Sequence, residues 1–249
     1  RKKLKFLRAF VKLLKGLKLP EETTAVNLNL RDVGRKFSDL RDAHVRQLLL
    51  LELKDQSKND PFQPIVEQLE KLNQSGIKET EHSMLVEKNE FLALQELLVN
   101  NEIINPYFAL KNPDPSKILE VFASCYLKSF NAYNTSIESF DPNLLHEWRK
   151  RLKDVQYQFE LLYEVLNSDI QNHYLKIQDL CNVLGKLNDW DMLNHWITSK
   201  QHELTNKGKL SSMLSEELEL QQEALLSVAK GRGLNLYTYT PDQFKDQLF

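Results

Sequence analysis

The 249-residue chain predicts an all-α protein made of two similar helical bundles. Three observations carry that reading. Only 7 Gly and 8 Pro stand against many Leu, Lys, Glu and Gln, a balance that favours helix. Apolar residues recur at helical spacing nearly end to end. And the stretch Leu30-Arg31-Asp32-Val33 to Leu40-Arg41-Asp42-Ala43-His44-Val45 matches, without a gap, Ile177-Gln178-Asp179-Leu180 to Leu187-Asn188-Asp189-Trp190-Asp191-Met192. Each copy ends in a polar-Asp-x-polar signature, and the copies lie on either side of a Pro-rich joint.

The elements follow in order. Arg1 to about Lys18 forms a first helix, with Leu4, Phe6, Leu7, Phe10, Val11, Leu13, Leu14 and Leu17 on a broad apolar arc. Arg1, Lys5, Arg8, Lys12 and Lys15 make a separate basic stripe. A single helix over about 25–53 sets Val33, Phe37, Leu40 and His44 in line. Pro61 and Pro64 suit the first turn of a helix running to about Asn73. Another helix spans about 79–100, and the Pro-bearing stretch 105–115 reads as a linker. Helices follow near 116–135, 143–167, 169–200 and 209–230, with Asp141-Pro142-Asn143 supplying a turn and an N-cap. Residues 236–241 read as extended or looped, before a short last helix after Pro241.

The chemistry concentrates on the helix after Pro142. His146, Arg149, Lys150 and Lys153 lie at i, i+3, i+4 and i+7, which places them on one face. Gln156 and Tyr157 extend the same strip, while Trp148, Leu152, Val155, Phe159, Leu162 and Leu166 form the side to be buried. The plain reading of such a strip is a solvated helix face, and the sharper one is an anion site. Net charge is −2, so the protein is no general polycation; yet residues 1–20 hold eight Lys or Arg and no carboxylate. That asymmetry points to a local anion site. Asp191 falls in line with Ile177, Leu180, Leu184 and Leu187, so it is expected to face the interior, capping a turn or pairing with a base. His44, in the equivalent place, reads as a satisfied core histidine.

Other chemistries find little support. Glu79-x-x-His82 is the sole Glu-x-x-His, against the two that a di-iron bundle needs. No zinc pattern, phosphate loop, nucleophile elbow or dinucleotide fingerprint is present. No metal, cofactor or catalytic residue is therefore expected, and phosphate would have to be held by side chains. Nucleic acid is not expected as a ligand, because aromatic residues are not interleaved with the basic stripes. No apolar run reaches the length of a membrane span, and no signal peptide opens the chain. Cys125 and Cys181, a single pair, fit a reducing cytoplasm better than a disulfide framework.

The run His146-x-x-Arg149-x-x-x-Lys153 … Tyr157 resembles the signature of the CHAD domain, the conserved histidine α-helical domain. So do Leu180 … Leu184-Gly185-x-Leu187-Asn188-Asp189-x-Asp191 and the tail Gly231-Arg232 … Leu236-Tyr237 … Pro241 … Phe244. Lys2-Lys3-Leu4-Lys5-Phe6 and Leu40-Arg41-Asp42-x-His44-Val45 look like first copies. The resemblance implies two four-helix bundles related by a pseudo-twofold, over residues 1–110 and 111–249, with a basic cleft between them. It implies non-enzymatic binding of inorganic polyphosphate in the cytoplasm, at polyphosphate granules. The implied contacts are Lys2, Lys3, Lys5, Arg8, His146, Arg149, Lys150 and Lys153. The alternative is a scaffold that docks an acidic or phosphorylated protein. Departures from the pattern are Asp154 and Gln156, where many members carry Arg, and His44, where Asp is usual. The first-half His is absent, so Arg1 is not expected to be the natural start.

Overall fold

A computed structural model describes residues 2–14, 22–86, 114–139, 141–204 and 209–248. Every regular element among them is helical: α1 (Lys2–Leu14), α2 (Glu22–Lys36), α3 (Ser38–Gln56), α4 (Gln63–Val86), α5 (Pro115–Ser139), α6 (Pro142–Leu162), α7 (Ser168–Lys200), α8 (Lys209–Leu236) and α9 (Pro241–Asp246). Short 3-10 turns at Tyr163–Val165 and Gln201–Glu203 follow α6 and α7. The chain divides into two compact units, neither of them a continuous stretch. The first takes 1–35, 96–185 and 228–249, and the second 36–95 and 186–227, so the boundaries fall inside α7 and α8.

In the first unit, α5 and α6 form a hairpin. Asp141 caps α6 by accepting from the backbone N–H of Asn143 (2.8 Å) and Leu144 (3.3 Å), and Pro142 sits where a missing N–H costs nothing. As expected, Trp148, Leu152, Val155 and Phe159 are buried. They enter an aromatic core: Phe122 meets Phe159 and Phe244 at 5.6 Å, Tyr126 stacks on Phe244 at 3.9 Å, and Tyr133 stacks on Tyr237 at 4.8 Å. A capping box, Thr240 with Gln243, fixes α9 so that Phe244 reaches that core. In the second unit, Leu50 and Leu53 of α3, Ile65 and Leu69 of α4, Trp190 and Leu193 of α7, and Leu214 and Leu218 of α8 make the core.

Several sequence expectations need correction. The helix over 25–53 is two helices, broken at Phe37 (φ −94°, ψ 11°), and the break coincides with the passage from one unit to the other. The expected stop near Asn73 does not occur, and α4 runs through it. Asn73 is held in place by α3: its Nδ2 donates to the Ala43 carbonyl (2.9 Å) and to Gln47 Oε1 (3.0 Å), and its Oδ1 accepts from Arg46 Nε (3.1 Å). A polar residue met by partners on three sides has no reason to end a helix. The stretch 87–113, with the expected linker and the end of the 79–100 helix, lies outside the described residues. At the far end α8 reaches Leu236 rather than stopping near 230, because Gly233 lets it press against Tyr133 and Trp148.

Candidate basic site

On α6, His146 and Lys150 are exposed and Arg149 and Lys153 half-buried. Arg149 and Lys153 face the first part of α7. Burial pushes the Cys181 thiol of that helix up to about 12, and the charges of Lys153 and Arg149 act against it. Lys153 Nζ donates to Gln156 Oε1 (2.8 Å), and Gln156 Nε2 donates to Glu160 Oε1 (3.3 Å). Tyr174 donates its hydroxyl to the same oxygen at 3.0 Å, and burial together with the Glu160 charge lifts that phenol to about 12. Gln156 and Tyr157 are therefore buried, not part of an exposed strip: helical spacing put them beside the basic residues, but neighbouring helices cover them.

Part of the positive charge is neutralised locally. Glu147 takes 2.8 Å from Lys150 Nζ and 2.6 Å from Arg151 Nε, and the Lys150 hydrogen bond leads in holding its carboxyl below the usual range.

Lys2, Lys3 and Lys5 of α1 are exposed, while Arg8 is half-buried. Arg8 Nε donates to Asn27 Oδ1 of α2 at 2.9 Å. Burial lowers the pKa of its guanidinium, Asp154 opposes this, and Arg31 and Arg35 add to it. Those two α2 arginines flank Asp32 (2.9 and 3.7 Å). Sequence reasoning missed them as members of the basic group, although an i, i+4 arginine pair in a chain of net charge −2 is a legible signal. α1 lies against α6: Phe6 meets the Tyr157 ring edge-on (6.5 Å, 90°), and Lys12 Nζ sits 2.5 Å from Asp154 Oδ2. The basic residues of α1 and α6, with Arg31 and Arg35 of α2, thus belong to one compact unit.

The second unit gathers the repeat signatures. Arg41 of the first copy donates to Asp42 (2.8 Å) and to Asp189 of the second (3.1 Å). Asp191 is not interior: its side chain is 42% exposed, 3.5 Å from His195, while Trp190 takes the buried position. The line through Leu187 passes to Trp190 and Leu193, so Asp191 turns one residue past the core. His44 is no core histidine either; it is 52% exposed, with Glu81 3.4 Å away. Glu79 and His82 on α4 are exposed, and among the described residues no group of three or more His, Cys, Asp or Glu could hold a metal. No described helix is long and apolar enough to cross a membrane.

None of the curated proteins compared with the chain matches it. The CHAD domain family model matches residues 1–198. That span contains the basic stripes of α1 and α6, both repeat copies and the Leu184-Gly185 segment, and it ends before the Gly231 tail. The chain belongs to the CHAD domain family.

Proposed function

We propose that this CHAD domain binds inorganic polyphosphate, or another phosphate-rich polyanion, without turning it over. Lys2, Lys3, Lys5, Arg8, His146, Arg149, Lys150 and Lys153 supply the contacts, and Arg31 and Arg35 extend the field. The observation that carries the reading is the packing of α1 on α6, joined by Lys12–Asp154 and Phe6–Tyr157, which keeps two basic stripes in one unit. Converging cations gain Coulomb attraction from a polyphosphate chain and release its counterions. Arginines bind oxygens bidentately and lysines act as point charges. His146 adds a neutral donor or, when protonated, a further charge. The reading includes duplicated halves, 1–110 and 111–249, a basic cleft between them, and a cytoplasmic place at polyphosphate granules, all expected of the family.

The test is a binding titration with long-chain polyphosphate at about 50 and 200 mM salt, using wild type, Arg149→Glu and Lys153→Glu. Wild type should lose at least ~100-fold affinity between the two salts, as polyanion binding through several contacts does. Each reversal should weaken binding by roughly tenfold or more, equivalent to about 1.4 kcal/mol. Tight binding indifferent to both reversals refutes the site. Recovery of a stoichiometric acidic protein without polyphosphate retention would select the scaffold reading, and phosphate release with Mg²⁺ or Mn²⁺ would make the domain an enzyme.

A further inference from the structure

A cavity of about 250 Å³ lies within the first unit, walled by α1, α2, α5 and α6. That is far above the roughly 10–15 Å³ that admits one water, and below the roughly 300 Å³ where drug-sized sites begin. Lys12, Lys128, Arg151 and Asp154 line it, so three cations face one carboxylate. Asp154 is engaged by Lys12, and Arg151 gives its Nε to Glu147. Lys128 pairs with no carboxylate among the described residues. All four charges act on the thiol of Cys125, which also lines the cavity, so their fields converge there. Gln158 is the decisive group. It is 2% exposed, it lines the same cavity, and its Oε1 has no hydrogen-bond partner. A buried amide oxygen without a protein donor is costly, so its donor has to come from what occupies the cavity, solvent or ligand.

We propose that this cavity is a binding site for a compact anion carrying a neighbouring hydroxyl, its charged end on Lys128 and Arg151 and its hydroxyl on the Gln158 carboxamide. The net positive wall selects an anion. The size limits it to a few carbons. The amide presents an acceptor beside a donor, which a hydroxyl answers in either orientation of the amide. Phosphate monoesters and hydroxycarboxylates share this chemistry. The site is separate from the polyphosphate reading, since neither Arg149 nor Lys153 lines the cavity.

Calorimetric titration with two matched pairs tests the proposal: glycerol 3-phosphate against propyl phosphate, and glycerate against propionate. The pair that binds identifies the charged group. Within it, the hydroxylated member should bind roughly tenfold tighter. Lys128→Ala, at an exposed position, should weaken both members at least fivefold. Gln158→Leu should bring the two members to equal affinity, and Gln158→Glu, which adds a carboxylate to the wall, should abolish binding of both. Arg149→Glu should leave all these affinities unchanged while it weakens polyphosphate. No binding of any probe at about 10 mM overturns the site. So does affinity indifferent to Lys128→Ala, or hydroxyl preference that survives in Gln158→Leu.

Discussion

Lys12 Nζ and Asp154 Oδ2 lie 2.5 Å apart, an ion pair that joins α1 to α6 across 142 residues of sequence. The pair is 30% and 20% exposed, between the limits of a surface bridge and a buried one. Asp154→Asn leaves Lys12 in a neighbourhood already rich in positive charge. It should cost roughly 1–2 kcal/mol by urea denaturation, with a cycle through Lys12→Met isolating the coupling. The same variant should bind polyphosphate more tightly, since it removes a negative charge from beside the basic stripes. Lower stability together with higher affinity is the expected signature; lower affinity would place the anion elsewhere.

Gly233 and Gly231 sit two residues apart in α8 and should respond with opposite signs. A Cβ at Gly233 would come 2.5 Å from Tyr133 Cε2 and 3.2 Å from Trp148 Cη2, both ring carbons in the packed aromatic core. Gly233→Ala should therefore destabilise by about 1–3 kcal/mol through overpacking. A Cβ at Gly231 meets nothing within 4 Å. Gly231→Ala should stabilise by roughly 0.5–1 kcal/mol through helix propensity alone. Thermal melts of the two variants decide the matter, and equal shifts would refute the packing argument.

Tyr237 is a hydrogen-bond hub. Its hydroxyl meets Ser129 Oγ at 2.6 Å and accepts from Trp148 Nε1 at 3.0 Å, and all three side chains are buried. Tyr237→Phe strands two buried groups at once, so it should cost roughly 1–3 kcal/mol and perturb the near-ultraviolet circular dichroism. Ser129→Ala leaves the Trp148 bond in place and should cost less. The reverse ranking would mean that the serine, not the phenol, anchors the network.

How much of this was legible beforehand follows from what periodicity measures. It identified α6 and its buried face, because Trp148, Leu152, Val155 and Phe159 all point the same way on one straight helix. It placed Gln156 and Tyr157 beside the basic residues but could not see that α1 and α7 cover them. The repeat drew attention to Arg41 and Asp189, and the ion pair between them is a tertiary fact that spacing cannot contain. Asp191 and His44 were misplaced because a helix line drawn over several turns drifts by a residue, enough to turn an interior position outward. Gln158 gave no sequence signal at all. A glutamine in a helix is ordinary, and only its burial without a partner marks it.

His173 should govern stability on the acid side. The ring is buried, stacked on Tyr239 at 4.8 Å, and its Nδ1 lies 3.2 Å from the Asp169 carbonyl. With Nδ1 donating there, Nε2 is a buried acceptor without a partner, and protonating it would bury both a charge and an unmet N–H. Burial accordingly lowers the pKa of His173 below the ordinary 6.5, the carbonyl contact opposing it and Lys176 adding to it. The folded chain then binds fewer protons here than the unfolded chain once pH drops below 6.5. Stability must fall as pH falls through that window, and level off only when the folded ring itself protonates. His173→Phe keeps the stack and removes the titration. Denaturation curves from pH 7 to 5 should show wild type losing stability relative to the variant, with the gap widening toward low pH. A constant gap would mean that His173 titrates alike in both states.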